Sequence, residues 1–186
     1  MENLFAFIVG VIIISVVGTI FHFTYDWSHK NKILAIFSAV NESTWEHIKI
    51  ALTATFLYSL IDGAMFGQNP NYFVAKLVSL LIIIFFIPII FYGYTAISKR
   101  PILPIDILSF YVVIFASQIV AWWILSLPAL PFAAIYVGTV GTTMIFGLYL
   151  LGTLMPVKNF LFKDPITKRY GLRGHSDVAE KPKSKK

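Results

Sequence analysis

The segment Asn41-Glu42-Ser43-Thr44-Trp45-Glu46-His47 places two carboxylates and an imidazole at the start of a hydrophobic stretch. Membrane segments rarely contain so many ionisable groups, because a charged side chain in the bilayer costs several kcal/mol unless it is paired. These residues are therefore the first candidates for a functional site. Their types suit hydrogen bonding, metal binding or proton transfer.

A second polar pair lies upstream of this segment. His22 and Asp26 are four residues apart, so they share one face of a helix. Glu42 and Glu46 have the same spacing, and His47 follows directly. Imidazole nitrogens and carboxylate oxygens together suit zinc, iron or manganese. One hypothesis is therefore a divalent metal site with His22, Asp26 and His47 as ligands. Glu46 would act as the general base.

A purely structural interpretation explains part of the same segment. Ser43-Thr-Trp-Glu46 before an apolar stretch predicts a capping box, in which Ser43 and Glu46 each accept a hydrogen bond from the other's amide. Asn41, Glu42 and Ser43 are then structural polar groups. Gln118, in the middle of a later apolar stretch, is interpreted as a hydrogen-bonding contact between helices. A His-Glu-x-x-His zinc signature is absent from the sequence.

The elements that must position these residues are membrane helices. The chain of 186 residues is 58% hydrophobic and only 13% charged, which is more apolar surface than one soluble domain can bury. A membrane-spanning helix needs about 20 mostly apolar residues. Five stretches satisfy this requirement: Leu4 to Thr24, Thr44 to Met65, Tyr72 to Ile97, Asp106 to Leu127 and Phe132 to Met155. The prediction is an all-α integral membrane bundle of five transmembrane helices, comprising residues 1–156.

The basic residues predict an orientation in the cell membrane. Fourteen of the fifteen lysines and arginines fall on one side of the predicted bundle, and only Lys76 falls on the other. By the positive-inside rule, the N-terminus lies outside and the C-terminus is cytoplasmic. Residues 157–186 then form a basic cytoplasmic tail, largely disordered after about residue 172. We expect the lipid bilayer as a partner, and we do not expect nucleic acid.

Two further features lie at the ends of the predicted helices. Asp62 and Lys76 flank the same outer turn, which predicts a surface ion pair of little energetic value. Residues 33–40 are apolar but too short to span the bilayer, which indicates an interfacial or re-entrant segment.

Several pieces of the chain resemble a family of small prokaryotic multi-pass membrane proteins of unknown function. The matching pieces are residues 18–28, which include His22-Phe-Thr-Tyr-Asp26-Trp-Ser, and residues 37–49, 71–76, 91–95 and 162–171. The most specific part is Asn41-Glu-Ser-Thr-Trp-Glu-His47. The resemblance extends to Leu172, and the basic tail beyond it departs from the pattern. The resemblance implies a multi-pass membrane fold, but it implies no activity, because the function of the family is unknown.

Three functions remain open on the sequence, and whether the protein is an enzyme is not decided. The first is a structural or accessory membrane protein, such as a small subunit of a larger complex or a homo-oligomer. The second is a metal-dependent membrane hydrolase acting on a lipid-like substrate. The third is a proton-coupled transporter in which Glu46 and His47 relay protons and Gln118 contacts the substrate.

Overall fold

The computed structural model describes residues 2–175, with side chains described from residue 4 except at residue 6. This part of the chain forms five long α-helices: α1 (Glu2–Trp27), α2 (Thr44–Phe66), α3 (Tyr72–Ser98), α4 (Leu103–Leu125) and α5 (Phe132–Leu154). Each is long and apolar enough to cross a membrane by length and composition. The predicted all-α bundle of five membrane helices is therefore confirmed.

The helix ends lie within three residues of the predicted ends, and the largest differences are the end of α1, at Trp27 and not Thr24, and the start of α4. This helix begins at Leu103, three residues before the predicted start, and Pro104 lies in its first turn. Proline fits there because the first turn leaves its backbone N–H groups unpaired in any case, and the fixed φ of the ring suits a helix.

Helix α2 is the most buried helix of the bundle. More than half of its most apolar window, 56%, is buried, against 17% for α1 and for α5. Yet α2 is also the least apolar of the five spans. Lipid cannot hydrogen-bond polar side chains, so the helix that carries most of them is stable only when protein surrounds it.

The segments that flank α2 fold back against the bundle. Residues 33–40 form a short 3₁₀ turn, Leu34–Ile36, and then a loop whose Ala39 amide donates to the Phe21 carbonyl at 3.1 Å. The C-terminal segment contributes two more 3₁₀ turns, Phe160–Phe162 and Gly171–Gly174. Its Phe162 ring stacks on Trp45 with a centroid distance of 4.6 Å.

The described structure continues to residue 175. Gly174 is buried against Asn41 in the loop before α2, and His175 is buried beside Tyr25 and Asp26 of α1. The remainder of the predicted tail, residues 176–186, lies outside the described residues.

Asp62 and Lys76 do form an ion pair, but not at the surface. The Lys76 ammonium donates to the Asp62 carboxylate, and only 7% of Asp62 and 6% of Lys76 is exposed. The Tyr72 hydroxyl donates to the other carboxylate oxygen at 2.8 Å. The surface prediction is wrong because α2 and α3 both continue past this point and enclose the pair.

Candidate functional site

Three of the predicted polar side chains meet at the end of the bundle where α1 ends and α2 begins. His22 lies in the last turns of α1, His47 in the first turn of α2, and Glu42 in the loop directly before α2. One ligand atom from each lies within 4.8 Å of the others. The Glu42 Oε2 atom is 3.8 Å from His22 Nε2 and 3.7 Å from His47 Nε2. We call these three residues the His/Glu cluster.

A hydrogen bond fixes the orientation of His47. Its Nδ1 atom lies 3.0 Å from the carbonyl oxygen of Ser43, an acceptor, so Nδ1 carries the proton that is donated. In the neutral ring Nε2 is then the atom with a free lone pair, and Nε2 is the atom that faces Glu42. Metal-binding histidines are commonly held in this way, with the second ring nitrogen donating to a carbonyl.

The C-terminal segment holds Glu42 in place. The Glu42 amide donates to Asp164 Oδ2 at 2.8 Å, and Asp164 is 1% exposed. The neighbouring Asn41 side chain donates to the Gly171 carbonyl at 3.0 Å and accepts from the Ser43 amide at 2.8 Å. Sequence reasoning missed Asp164. The only local signal is Asp-Pro-Ile-Thr, a turn pattern in which the carboxylate accepts from its own backbone.

Glu46 does not belong to the His/Glu cluster. Its carboxylate accepts from the Val40 amide at 3.0 Å and pairs with the Lys49 ammonium at 2.5 Å. The predicted capping box is also wrong, because Ser43 makes no side-chain cap bond and its Oγ has no hydrogen-bond partner among the described residues. The Glu46 carboxylate pairs with Lys49, one turn further along α2, and so does not bond to the Ser43 amide as a capping box requires. As placed here, Glu46 is not a general base for a cluster-bound metal.

Asp26 also lies apart from the His/Glu cluster. It pairs with His175, whose Nε2 is 2.7 Å from Asp26 Oδ1. Four residues beyond His22, Asp26 lies one helical turn further along α1, about 6 Å along the axis. The loop instead places Glu42 beside His22, so the group of described residues that could hold a metal ion is His22, Glu42 and His47, and not the predicted set of His22, Asp26 and His47.

A cleft of about 510 Å³ opens beside the cluster, and all three cluster residues line it. Its other walls are mainly apolar and come from α1 to α4: Phe23, Ile50, Phe91, Leu103, Ile107 and Phe110. This volume is within the usual range for small-molecule pockets, about 300–1,000 Å³. The cleft therefore suits an amphiphile with its polar group at the cluster and its apolar part along the helices.

Asp106 is a second carboxylate on the same cleft, besides Glu42. The sequence pattern predicts only that Asp106 starts helix α4, but the residue lies inside the first turn after the N-cap residue Ile102. The Tyr94 hydroxyl donates to Asp106 Oδ1 at 2.5 Å and itself accepts from the Ile102 amide at 3.0 Å. Asp106 also lines a smaller cavity with His47, so its carboxylate is near the cluster.

Gln118 lies at the other end of the bundle, with Asp62 and Lys76 around one small cavity. It donates to the Ser79 hydroxyl of α3 at 3.1 Å, which is an interhelical contact of the kind expected for a buried amide. Twelve residues of α4 separate it from Asp106, or about 18 Å along the axis. Fully buried apolar side chains such as Ile83 and Ile114 fill the core. Buried hydroxyls such as those of Thr53 and Thr55 also lie there, and the relay through Glu46 and His47 with Gln118 as the substrate contact stays a prediction.

Fold and side chains together define a multi-pass membrane protein with a His/Glu cluster at one end of its helices. The chain belongs to a family of unknown function, DUF6512, whose family model matches residues 3–172. This range includes the cluster, Asp106 and Asp164, and it ends three residues before His175. No curated protein and no solved structure matches the chain significantly.

Proposed function

We propose that this protein is a metal-dependent membrane hydrolase that acts on a lipid-like substrate. The observation that supports the proposal is the position of the His/Glu cluster on the polar side of a large apolar cleft. Two imidazoles and one carboxylate form a common ligand set of catalytic zinc sites, which keep a further coordination position open for water or substrate. His22 and His47 are partly buried, and Glu42 is more exposed, so a cation has access to all three.

Each polar residue has a role in this proposal. His22, Glu42 and His47 would hold the cation, which would supply Lewis-acid polarisation of the ester or phosphoryl group and a more acidic water. Asp106 accepts the proton of the attacking water and passes it to the leaving alcohol as the ester bond breaks. Tyr94 positions the Asp106 carboxylate through its short hydrogen bond.

We also propose that the cluster lies at the cytoplasmic face of the cell membrane, with the N-terminus outside. The structure supports this orientation, because the segment around Lys163 and Arg169 packs at the cluster end through Asp164. The loop with Lys99 and Arg100 joins α3 to α4 at the same end. Basic residues mark the cytoplasmic side of membrane proteins.

A structural or accessory role is the second candidate, and a different set of contacts favours it. Asp26 pairs with His175, Asn41 bonds to Gly171, and Asp164 bonds to the amide of Glu42. These contacts tie the C-terminal segment to the loop before α2. On this alternative the polar residues stabilise a surface for another membrane protein, and no bound metal is needed.

Metal analysis of the purified protein separates the two candidates. We expect close to one divalent cation per chain in the wild type, and strong loss in His22→Asn and in His47→Asn, since each variant removes one of three ligands. His29→Asn is the matched control, because His29 is a histidine outside the cluster. Wild-type protein without bound metal, after purification and after incubation with zinc or manganese, would contradict the proposal.

Asp106→Asn tests the proposed chemistry independently of metal binding. We expect the variant to keep its metal and its thermal stability in detergent but to lose hydrolysis of ester or phosphoester lipids, followed by mass spectrometry of the products. Loss of a general base typically slows a reaction about 10²–10⁴-fold. Wild-type activity in the variant would remove Asp106 from the mechanism. A metal-loaded wild type that releases no product would contradict hydrolysis itself.

A further inference from the structure

A second cavity, of about 370 Å³, lies at the same end of the bundle but does not include the His/Glu cluster. The loop before α2, helix α2, the end of α5 and the C-terminal segment form its walls. Apolar side chains such as Ile36 and Leu154 contribute to it, and so do three cations, Lys32, Lys49 and Arg173. The cavity therefore combines apolar walls with a concentration of positive charge.

The charge in this cavity is only partly balanced. Glu46 is its one acidic lining residue, and it already pairs with the buried Lys49. Lys32 and Arg173 are exposed at the rim, and neither forms an ion pair with a carboxylate of the described residues. Two positive charges at the rim thus remain for a ligand.

Thr153 lines the same cavity, and its hydroxyl is unsatisfied. Thr153 Oγ1 is buried and has no hydrogen-bond partner in the described part of the chain. The hydroxyls of all ten other threonines donate or share a hydrogen bond: Thr19, Thr24, Thr44, Thr53, Thr55, Thr95, Thr139, Thr142, Thr143 and Thr167. A buried polar group without a partner carries a free-energy cost, which a ligand with an acceptor oxygen would remove.

We propose that this cavity binds a phosphate group, that Lys32 and Arg173 are its charged donors, and that the Thr153 hydroxyl becomes a third donor when its side chain turns toward the cavity. The guanidinium of arginine matches the geometry of phosphate oxygens, lysine adds a point charge, and the hydroxyl donates a neutral hydrogen bond. Leu154 ends the last membrane span, so the cavity lies at the level where lipid headgroups meet the apolar core. Basic pockets between membrane helices on the cytoplasmic side bind anionic headgroups. The apolar walls would accommodate the first part of the lipid chains.

Binding is tested with the full chain in uncharged detergent micelles. The wild-type protein is titrated with phosphatidylglycerol, inorganic phosphate or diacylglycerol, and the shift of the thermal melting temperature is measured. We expect phosphatidylglycerol to stabilise the wild type and diacylglycerol, which lacks the phosphate, to have no effect. If inorganic phosphate shifts the melting temperature as much as phosphatidylglycerol does, the natural ligand is a soluble phosphate and not a lipid headgroup. The proposed phosphate site is supported in that case too.

Variants then locate the site. Lys32→Gln combined with Arg173→Gln should weaken binding roughly tenfold or more, since charge-assisted hydrogen bonds are the strong ones. Thr153→Val, which keeps the shape of the side chain, should weaken it less. The matched control is Lys99→Gln with Arg100→Gln, which removes two charges from the same end of the bundle but not from the cavity.

Wild-type affinity in the Lys32/Arg173 variant, or an equal loss in the control, would overturn the proposal. The first result would place the lipid elsewhere, and the second would show only general electrostatic attraction. The outcome is independent of the proposed hydrolase, because none of the varied residues belongs to the His/Glu cluster or to Asp106.

Discussion

Lys49 is among the most deeply buried side chains of the protein, although lysine is almost never fully buried unless it is paired. Its ammonium bonds to the Glu46 carboxylate and to the Ala35 carbonyl, the latter at 3.0 Å. The Glu46 carboxylate also accepts from the Val40 amide. One ion pair therefore fixes the loop before α2 to the first turns of that helix, and the loop in turn presents Glu42 to the histidines.

Glu46→Gln tests whether this residue supports the structure or the chemistry. Because the substitution leaves the Lys49 charge buried and unpaired, we expect a loss of roughly 3–5 kcal/mol in the free energy of unfolding. Metal bound per folded chain should stay near the wild-type value, since Glu46 is outside the cluster. Glu46→Gln combined with Lys49→Met removes both charges and should recover part of the stability. Metal loss in a fully folded Glu46→Gln protein would show instead that Glu46 contributes to metal binding.

Among the elements, the five membrane helices could be predicted almost completely from the sequence. The thickness of the bilayer sets the length of each apolar stretch, so composition alone locates the ends of the spans to within three residues. The site could be predicted only in part. His22 and His47 follow from their places at two adjoining helix ends, but the position of Glu42 depends on Asp164, 122 residues later. No local pattern encodes a contact over that distance.

Close packing between α3 and α5 provides a prediction at the level of elements. A Cβ atom added at Gly138 would lie 2.7 Å from the backbone nitrogen of Val74, which cannot move without displacing α3. Gly138→Ala should therefore destabilise the protein, by about 1–3 kcal/mol as for other overpacked sites. Gly147, in the same helix, has nothing within 4 Å of such an atom, so Gly147→Ala is the matched control. Equal melting temperatures for the two variants in detergent would contradict this packing.

Across the whole molecule, the distribution of charge is more one-sided than a count of residues indicates. Lys76 is the only basic residue assigned to the outer side, and it is buried against the Asp62 carboxylate. An ion pair has no net charge, so Lys76 does not oppose the positive-inside rule. The cluster end of the bundle, in contrast, carries Lys99, Arg100 and the basic residues of the C-terminal segment. This distribution strengthens the proposed orientation, with the N-terminus outside.

Single cysteines can test that orientation, because the chain has none of its own. Gln68 lies beyond the end of α2 that is opposite the cluster, and Lys163 lies beside Asp164 at the cluster end; both are exposed. In intact cells we expect a membrane-impermeant maleimide to label Gln68→Cys and to label Lys163→Cys only after the membrane is opened. The reverse pattern would place the His/Glu cluster outside the cell. A hydrolase with that orientation would draw its substrate from the outer leaflet, so this measurement also decides which lipids the activity assay should contain.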